Sequence, residues 1–208
     1  MMEKETYWSK YAGELEEKTN HIVGEDNIRI IQESLSTEKD MGKTLELGCG
    51  NGTYSAVLEK SADHLTATDF SDVMVEITKK RFAEKENVTV EKANCFELDY
   101  PENSFDTVFM ANLLHVIPAP EKSLQEASRV LKKGGRFIII SYTSEGMTEK
   151  HTEAMRTRYL AMFGTPSPHA SLLTVQKARN LVEASGFTID QANLVGDTSK
   201  AIFISAVK

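Results

Sequence analysis

A doubly wound α/β domain, built on a mostly parallel seven-stranded sheet with helices on both faces, is the fold this sequence predicts, and three observations predict it. Short apolar runs alternate with helix-compatible segments along most of the chain. The first of these runs passes directly into three glycines at alternate positions, Gly48, Gly50 and Gly52, and then into another helix-compatible stretch. The last two runs are joined by the short, turn-rich segment Val195-Gly196-Asp197-Thr198-Ser199-Lys200, so they close an antiparallel hairpin.

Each element follows in order. Residues 5–20 and 26–36 carry helical patterning, with Asp26 as the N-cap of the second segment. The first strand covers 43–47 and a helix covers 53–60. The second strand, 64–68, leads into a helix capped by Ser71 that runs to about residue 84. Strands follow at 88–92 and 105–110. A helix from about 120 to 132 has Gly134 as its stop, and 136–141 is the fifth strand. Short apolar strands separated by helices pair in parallel, because the helices cover both faces. A long insertion occupies 143–173. A helix over 174–185 then ends at Gly186, and strands at 188–194 and 201–207 form the hairpin. With no internal repeat, low-complexity tract or linker, residues 1–208 read as one domain. Residues 1–36 make its N-terminal helical segment, and 143–173 an insertion.

Composition narrows the partners. A chain of 208 residues suffices for one α/β domain with a real core and is short for two. Its formal charge of -7 argues against a broad electropositive surface, so nucleic acid is not an expected partner. The two cysteines, Cys49 and Cys95, form no Cys-x-x-Cys pair, and neither a disulfide framework nor a metal site is expected. The segment Met1-Met2-Glu3-Lys4-Glu5 is charged, and no run approaches the roughly 20 apolar residues of a membrane span, so a cytoplasmic location is expected. Nothing in the sequence bears on oligomeric state.

The glycine turn carries the chemistry. Glycine permits positive φ and lets a ligand lie directly on the backbone, while the amides of the following helix start point toward it. A dinucleotide fingerprint places its third glycine three residues after the second. Here that position is Thr53, and the extra glycine, Gly52, comes one residue early. The turn therefore suits a ligand without a pyrophosphate, which disfavours an NAD-dependent oxidoreductase. Glu46, two residues before Gly48, places a carboxylate at the strand end for a cationic amino-acid moiety.

The segment Glu46-Leu47-Gly48-Cys49-Gly50-Asn51-Gly52 resembles motif I of the class I S-adenosylmethionine (SAM)-dependent methyltransferases, a Rossmann-like family. Pro101-Glu102-Asn103-Ser104-Phe105-Asp106-Thr107-Val108 resembles the family's lead into strand four, and Leu131-Lys132-Lys133-Gly134-Gly135-Arg136-Phe137 its turn before strand five. The matches span about residues 40–142. The resemblance implies SAM as cofactor, with S-adenosylhomocysteine as product, and places Gly48, Cys49, Gly50 and Gly52 against it. Asp69, 21 residues after Gly48, closes the second strand, where an acid accepts from ribose hydroxyls; a cap on the following helix is the competing role. At the adenine end many relatives have an acid where this chain has Asn94, whose amide oxygen can accept the same bond without charge. Cys95 and Phe96 would cover adenine and Phe70 would stack on its other side, ordinary core packing being the alternative for both rings.

Methyl transfer from a sulfonium needs alignment above all, and a base only where the acceptor must lose a proton. Ala111-Asn112-Leu113-Leu114-His115 follows strand four, at the sheet edge where such folds bind ligands. His115 is the candidate base, with an ordinary pKa near 6.5, or else a structural histidine. Asn112 either meets the methionine end of SAM or caps its turn. The resemblance implies that the N-terminal helical segment 1–36 folds over the cofactor as a lid and that the insertion 143–173 lies on the substrate side. In the lid Tyr7, Trp8 and Tyr11 lie close together, Tyr7 and Tyr11 sharing a face, with Tyr11 expected at the cofactor and docking on the sheet as the alternative. Met155, Tyr159, Met162 and Phe163 share one helix face in the insertion, as a pocket wall or as buried packing, and Tyr142 could face the acceptor. The family also divides by motif. The chain lacks both an Asn/Asp-Pro-Pro-Tyr-like segment after strand four and a paired-glutamate loop. A small-molecule acceptor is therefore expected, as in the quinone-biosynthesis group that the chain is similar to. A non-catalytic SAM-binding or regulatory protein is the alternative.

Overall fold

The structure is a computed structural model and describes residues 7–208; residues 5 and 6 of the expected first helix lie outside it. A 3₁₀ segment, Ser9–Glu14, leads into α1 (Leu15–Val23) and α2 (Glu25–Ser36). The core follows as β1 (Gly42–Leu47), α3 (Ser55–Leu58), β2 (Ala62–Asp69), α4 (Asp72–Arg81), β3 (Val88–Lys92), β4 (Phe105–Ala111), α5 (Pro120–Val130) and β5 (Leu131–Thr143). The chain continues through α6 (Glu149–Phe163), α7 (Val175–Ala184), β6 (Thr188–Val195) and β7 (Lys200–Val207).

The seven strands form one sheet in the order β3-β2-β1-β4-β5-β7-β6. β1 to β5 pair in parallel, and β7 runs antiparallel to both β5 and β6. The strand order reverses between β1 and β4, which makes the crevice above their carboxyl ends the natural ligand site. Side chains alternate across the sheet. Val108, Met110, Phe137 and Ile139 pack under α5 and α7, whereas Phe109, Ile138 and Ile140 pack toward α2, α3 and α4. Both faces are covered, which is why the central strands read as continuous apolar runs.

Several boundaries differ from expectation for local reasons. The first helix is broken, because at Glu14 the backbone leaves the helical region at φ -119° and ψ 3°. Asp26 is not an N-cap: Gly24, at φ 91°, takes that position and its carbonyl accepts the Ile28 N–H at 3.0 Å. Asp26 instead sits in the first turn of α2, where an acid suits the positive end of the helix dipole, and pairs with Arg29 at 3.0 Å. The helix expected over 53–60 contracts to the single turn α3 between tighter turns. α5 ends at Val130, since Leu131 already pairs with Phe105. The next pair is Thr107 with Arg136, so residues 132–135 bulge out of β5. Gly134 is a bulge residue and not a helix stop; its N–H donates to the Lys208 carbonyl at 3.0 Å. Ser71, as expected, caps α4 through its hydroxyl.

No described helix is long and apolar enough to cross a membrane. Among the described residues, no group of three or more His, Cys, Asp or Glu is placed to hold a metal ion. Cys49 and Cys95 are free thiols.

Candidate functional site

The glycine turn hangs from the carboxyl end of β1 and is pinned by its neighbours. The N–H groups of Gly48 and Cys49 both donate to the Thr68 carbonyl at 2.8 Å, and the Thr78 hydroxyl donates to the Gly50 carbonyl at 2.7 Å. Gly48 lies at φ 77°, and a Cβ there would stand 3.1 Å from Leu113, so the turn's approach to the loop after β4 needs a bare backbone. Gly52, expected against the cofactor, is turned away from the cavity. A Cβ on it would meet the Phe82 ring at 2.8 Å, so this glycine lets α4 pack beneath the turn.

Two carboxyl groups flank the turn. Asp69 accepts from the Gly50 N–H through one oxygen and from the Ser71 N–H through the other, each at 2.9 Å. The competing roles are thereby divided: Ser71 caps α4, and Asp69 braces the glycine turn while remaining on the cavity wall. Burial pushes the Asp69 pKa up, against the pull of those amides. Glu46 is 1 % exposed and accepts a hydrogen bond from the Ser55 hydroxyl. Burial raises its pKa to about 7, the nearby Asp69 charge adding to the rise and the Ser55 bond opposing it.

The loop after β3 forms one end wall. Asn94, Cys95 and Phe96 from this loop and Phe70 from the end of β2 all line the cavity, and none is fully buried, so the two rings are not simply core. Asn94 stands on that wall, and its side-chain oxygen accepts the Phe96 N–H at 3.1 Å through one of its two lone pairs. Burial pushes the Cys95 thiol up to about 12.

The opposite end lies above β4 and β5. Asn112, at φ 52°, stitches the two strands together, its N–H donating to Ile140 O and its side-chain oxygen accepting the Tyr142 N–H, both at 2.8 Å. It lines the cavity and also serves the turn. The Tyr142 hydroxyl lies 3.3 Å from that of Tyr54, a wall residue that sequence reasoning missed because one tyrosine after a glycine turn carries no local signature. His115 is also on the wall, with Nδ1 2.8 Å from the Ser141 hydroxyl. Its pKa is not the ordinary 6.5 of the sequence reading: burial lowers it to about 4.

The roof comes from the two appended segments. Phe163 stacks edge-on with Trp8 and Tyr11, at ring centroid distances of 5.5 and 4.8 Å, and Tyr159 tilts against it at 5.1 Å. Tyr11, expected at the cofactor, does not line the cavity; its hydroxyl donates to the Phe163 carbonyl at 2.8 Å and it braces the roof. Tyr7, Trp8, Met155 and Tyr159 do face inward, while Met162 packs within the roof. Between roof and sheet lies one continuous cavity of about 910 Å³, near the upper end of the range for small-molecule sites.

The profile of a family described as a methyltransferase domain matches residues 45–139, which run from β1 through β5. That segment resembles a methyltransferase domain, and it carries the pinned glycine turn and the point where the strand order reverses. The chain resembles the demethylmenaquinone methyltransferase of Clavibacter sepedonicus, with 34% identity over 131 residues, 62% of this chain and 54% of the relative. It thus spans about half the length of the curated relatives it matches. A SAM-dependent methyltransferase from Aquifex aeolicus shares the fold with a TM-score of 0.71 at 20% identity, over 96% of this chain and 98% of that one. Another from Thermotoga maritima does so with a TM-score of 0.75 at 20% identity, over 97% and 98%.

Proposed function

We propose that this chain is a SAM-dependent methyltransferase acting on a small-molecule acceptor. The observation that carries the reading is the continuity of the cavity. One space of about 910 Å³ joins the glycine turn, Asp69 and Glu46 to an apolar end under α6. Bound SAM supplies a methyl group on a sulfonium.

The residues fit that group. Asp69 keeps carboxylate lone pairs for ribose hydroxyls, Glu46 offers a buried carboxyl for an ammonium group, and Phe70 and Phe96 offer faces to a purine. Gly48, Cys49 and Gly50 give the backbone edge. Asn112, Tyr54 and Tyr142 line the cavity above β4 and β5. Met155, Phe163 and Leu172, with the ring of Tyr159, make a largely apolar acceptor wall, and His115 brings a ring nitrogen to it. The protein's part in the reaction is to hold the acceptor in line with the methyl group, an alignment worth roughly 7–11 kcal/mol of the barrier.

Calorimetric titration tests the reading. We expect saturable SAM binding and none of NAD, with Asp69→Ala weakening SAM at least about tenfold, since hydrogen bonds to a charged group contribute roughly 1.5–3 kcal/mol. Folded protein that binds no SAM would overturn the proposal, and unchanged affinity in Asp69→Ala would overturn the placement of the cofactor.

A further inference from the structure

His115 and Ser141 form a pair whose protons can be counted. Ser141 belongs to β5, is 0 % exposed and does not reach the cavity wall. Its hydroxyl has one hydrogen-bond partner among the described residues, His115 Nδ1 at 2.8 Å. The hydroxyl carries one proton, and so does a neutral imidazole. If Nδ1 held the ring proton and donated it to serine, the serine proton would be sealed away from water with no acceptor, at a cost of about 1–3 kcal/mol. If serine donates to Nδ1, no proton is wasted, and the ring proton sits on Nε2. That nitrogen has no hydrogen-bond partner among the described residues. It is also not among the buried atoms that lack one, where Asn193 Oδ1 stands alone. His115 is partly exposed on the cavity wall, so Nε2 opens to the cavity. The lowered pKa of the ring has the same sense, and burial is its cause, with no charged neighbour contributing.

We propose that Ser141 fixes His115 as its Nε2–H tautomer, so that His115 donates a hydrogen bond to an oxygen of the methyl acceptor and does not remove the acceptor's proton. Ser141 is then a positioning residue. The acceptor belongs to the class that carries a carbonyl, phenolate or enolate oxygen near the methylated atom, and it reaches the transfer step needing no proton taken by this ring. What the donor faces rests on the methyltransferase reading; the tautomer itself does not.

The tautomer is therefore measured on the full chain without cofactor, by long-range ¹H–¹⁵N correlation spectroscopy from pH 5.5 to 8.5. His115 signals are identified by their loss in His115→Gln. We expect an unprotonated Nδ1 and a protonated Nε2 throughout. A protonated Nδ1, or an imidazolium forming in that range, would overturn the proposal. In Ser141→Ala the two nitrogen shifts should move toward each other as the tautomers mix, and Ser141→Thr, which restores the hydroxyl, should return them. Unchanged shifts in a folded Ser141→Ala protein would remove Ser141 from the account, and if that variant fails to fold the wild-type spectrum still decides the tautomer. Since no SAM is present, the outcome is independent of the binding titration.

Discussion

Glu46 shows most directly how a single residue at this site trades stability for readiness. Its folded pKa of about 7 lies above the ordinary 4.5, so between those values the native protein holds a proton that the unfolded chain has released. Stability contributed by that proton is present below pH 4.5 and is lost as pH rises through about 7. Glu46→Gln keeps the shape, still accepts from Ser55, and carries no charge to bury. We expect the variant to gain stability over the wild type at pH 8 by an amount of order 3 kcal/mol, with little gain near pH 4.5. Urea unfolding at both pH values measures this, and an equal difference at the two would refute it. Residues of this kind were legible in the sequence where the signal was local. A carboxylate two residues before a glycine turn and an acid closing the second strand both name their positions. Tyr11 and Gly52 were misplaced because the direction of a side chain depends on packing partners distant in sequence. Ser141 was invisible, one serine in an apolar strand having nothing to mark it.

Among the elements, the roof is held differently from the sheet. Its N-terminal segment leans on α6 and the turn after it through aromatic edges and through bonds to backbone carbonyls: Tyr7 donates to Thr165 O at 2.6 Å, Tyr11 donates to Phe163 O, and Arg158 donates twice to Ile22 O, at 3.0 and 2.8 Å. Phe163, 7 % exposed, is the ring they share. Phe163→Ala should cost about 3 kcal/mol. The cost should fall on the roof, so limited proteolysis would cut within residues 7–23 well before the sheet is lost. Cleavage rates there equal to the wild type's would show that the roof does not depend on this ring. Strand 88–92 was read from the sequence to the residue, since it is bounded by polar turns on both sides. The ends of α3 and α5 were not, because the sheet claims Leu131 and the glycine turn claims Thr53 and Tyr54, and both are decisions of tertiary pairing that propensity does not carry.

For the molecule as a whole, ligand binding and folding are linked by mass action. SAM at 100 times its Kd should stabilise the native state by about 2.7 kcal/mol, raising Tm by roughly 5–10 °C for a domain of this size. Differential scanning calorimetry with SAM, and with NAD as control, measures the shift; equal traces would contradict a cofactor site at the switch point. The strand order itself was within reach of the sequence, since helix-separated apolar runs ending in a tight hairpin admit few topologies. Its last member has a further consequence. β7 is the last of the sheet's seven strands in chain order, yet it lies inside the sheet between β5 and β6 and pairs with both. A nascent chain emerging from a ribosome therefore exposes the apolar flank of β5 until Val207 is clear of the exit tunnel, and the sheet can be completed only after that release.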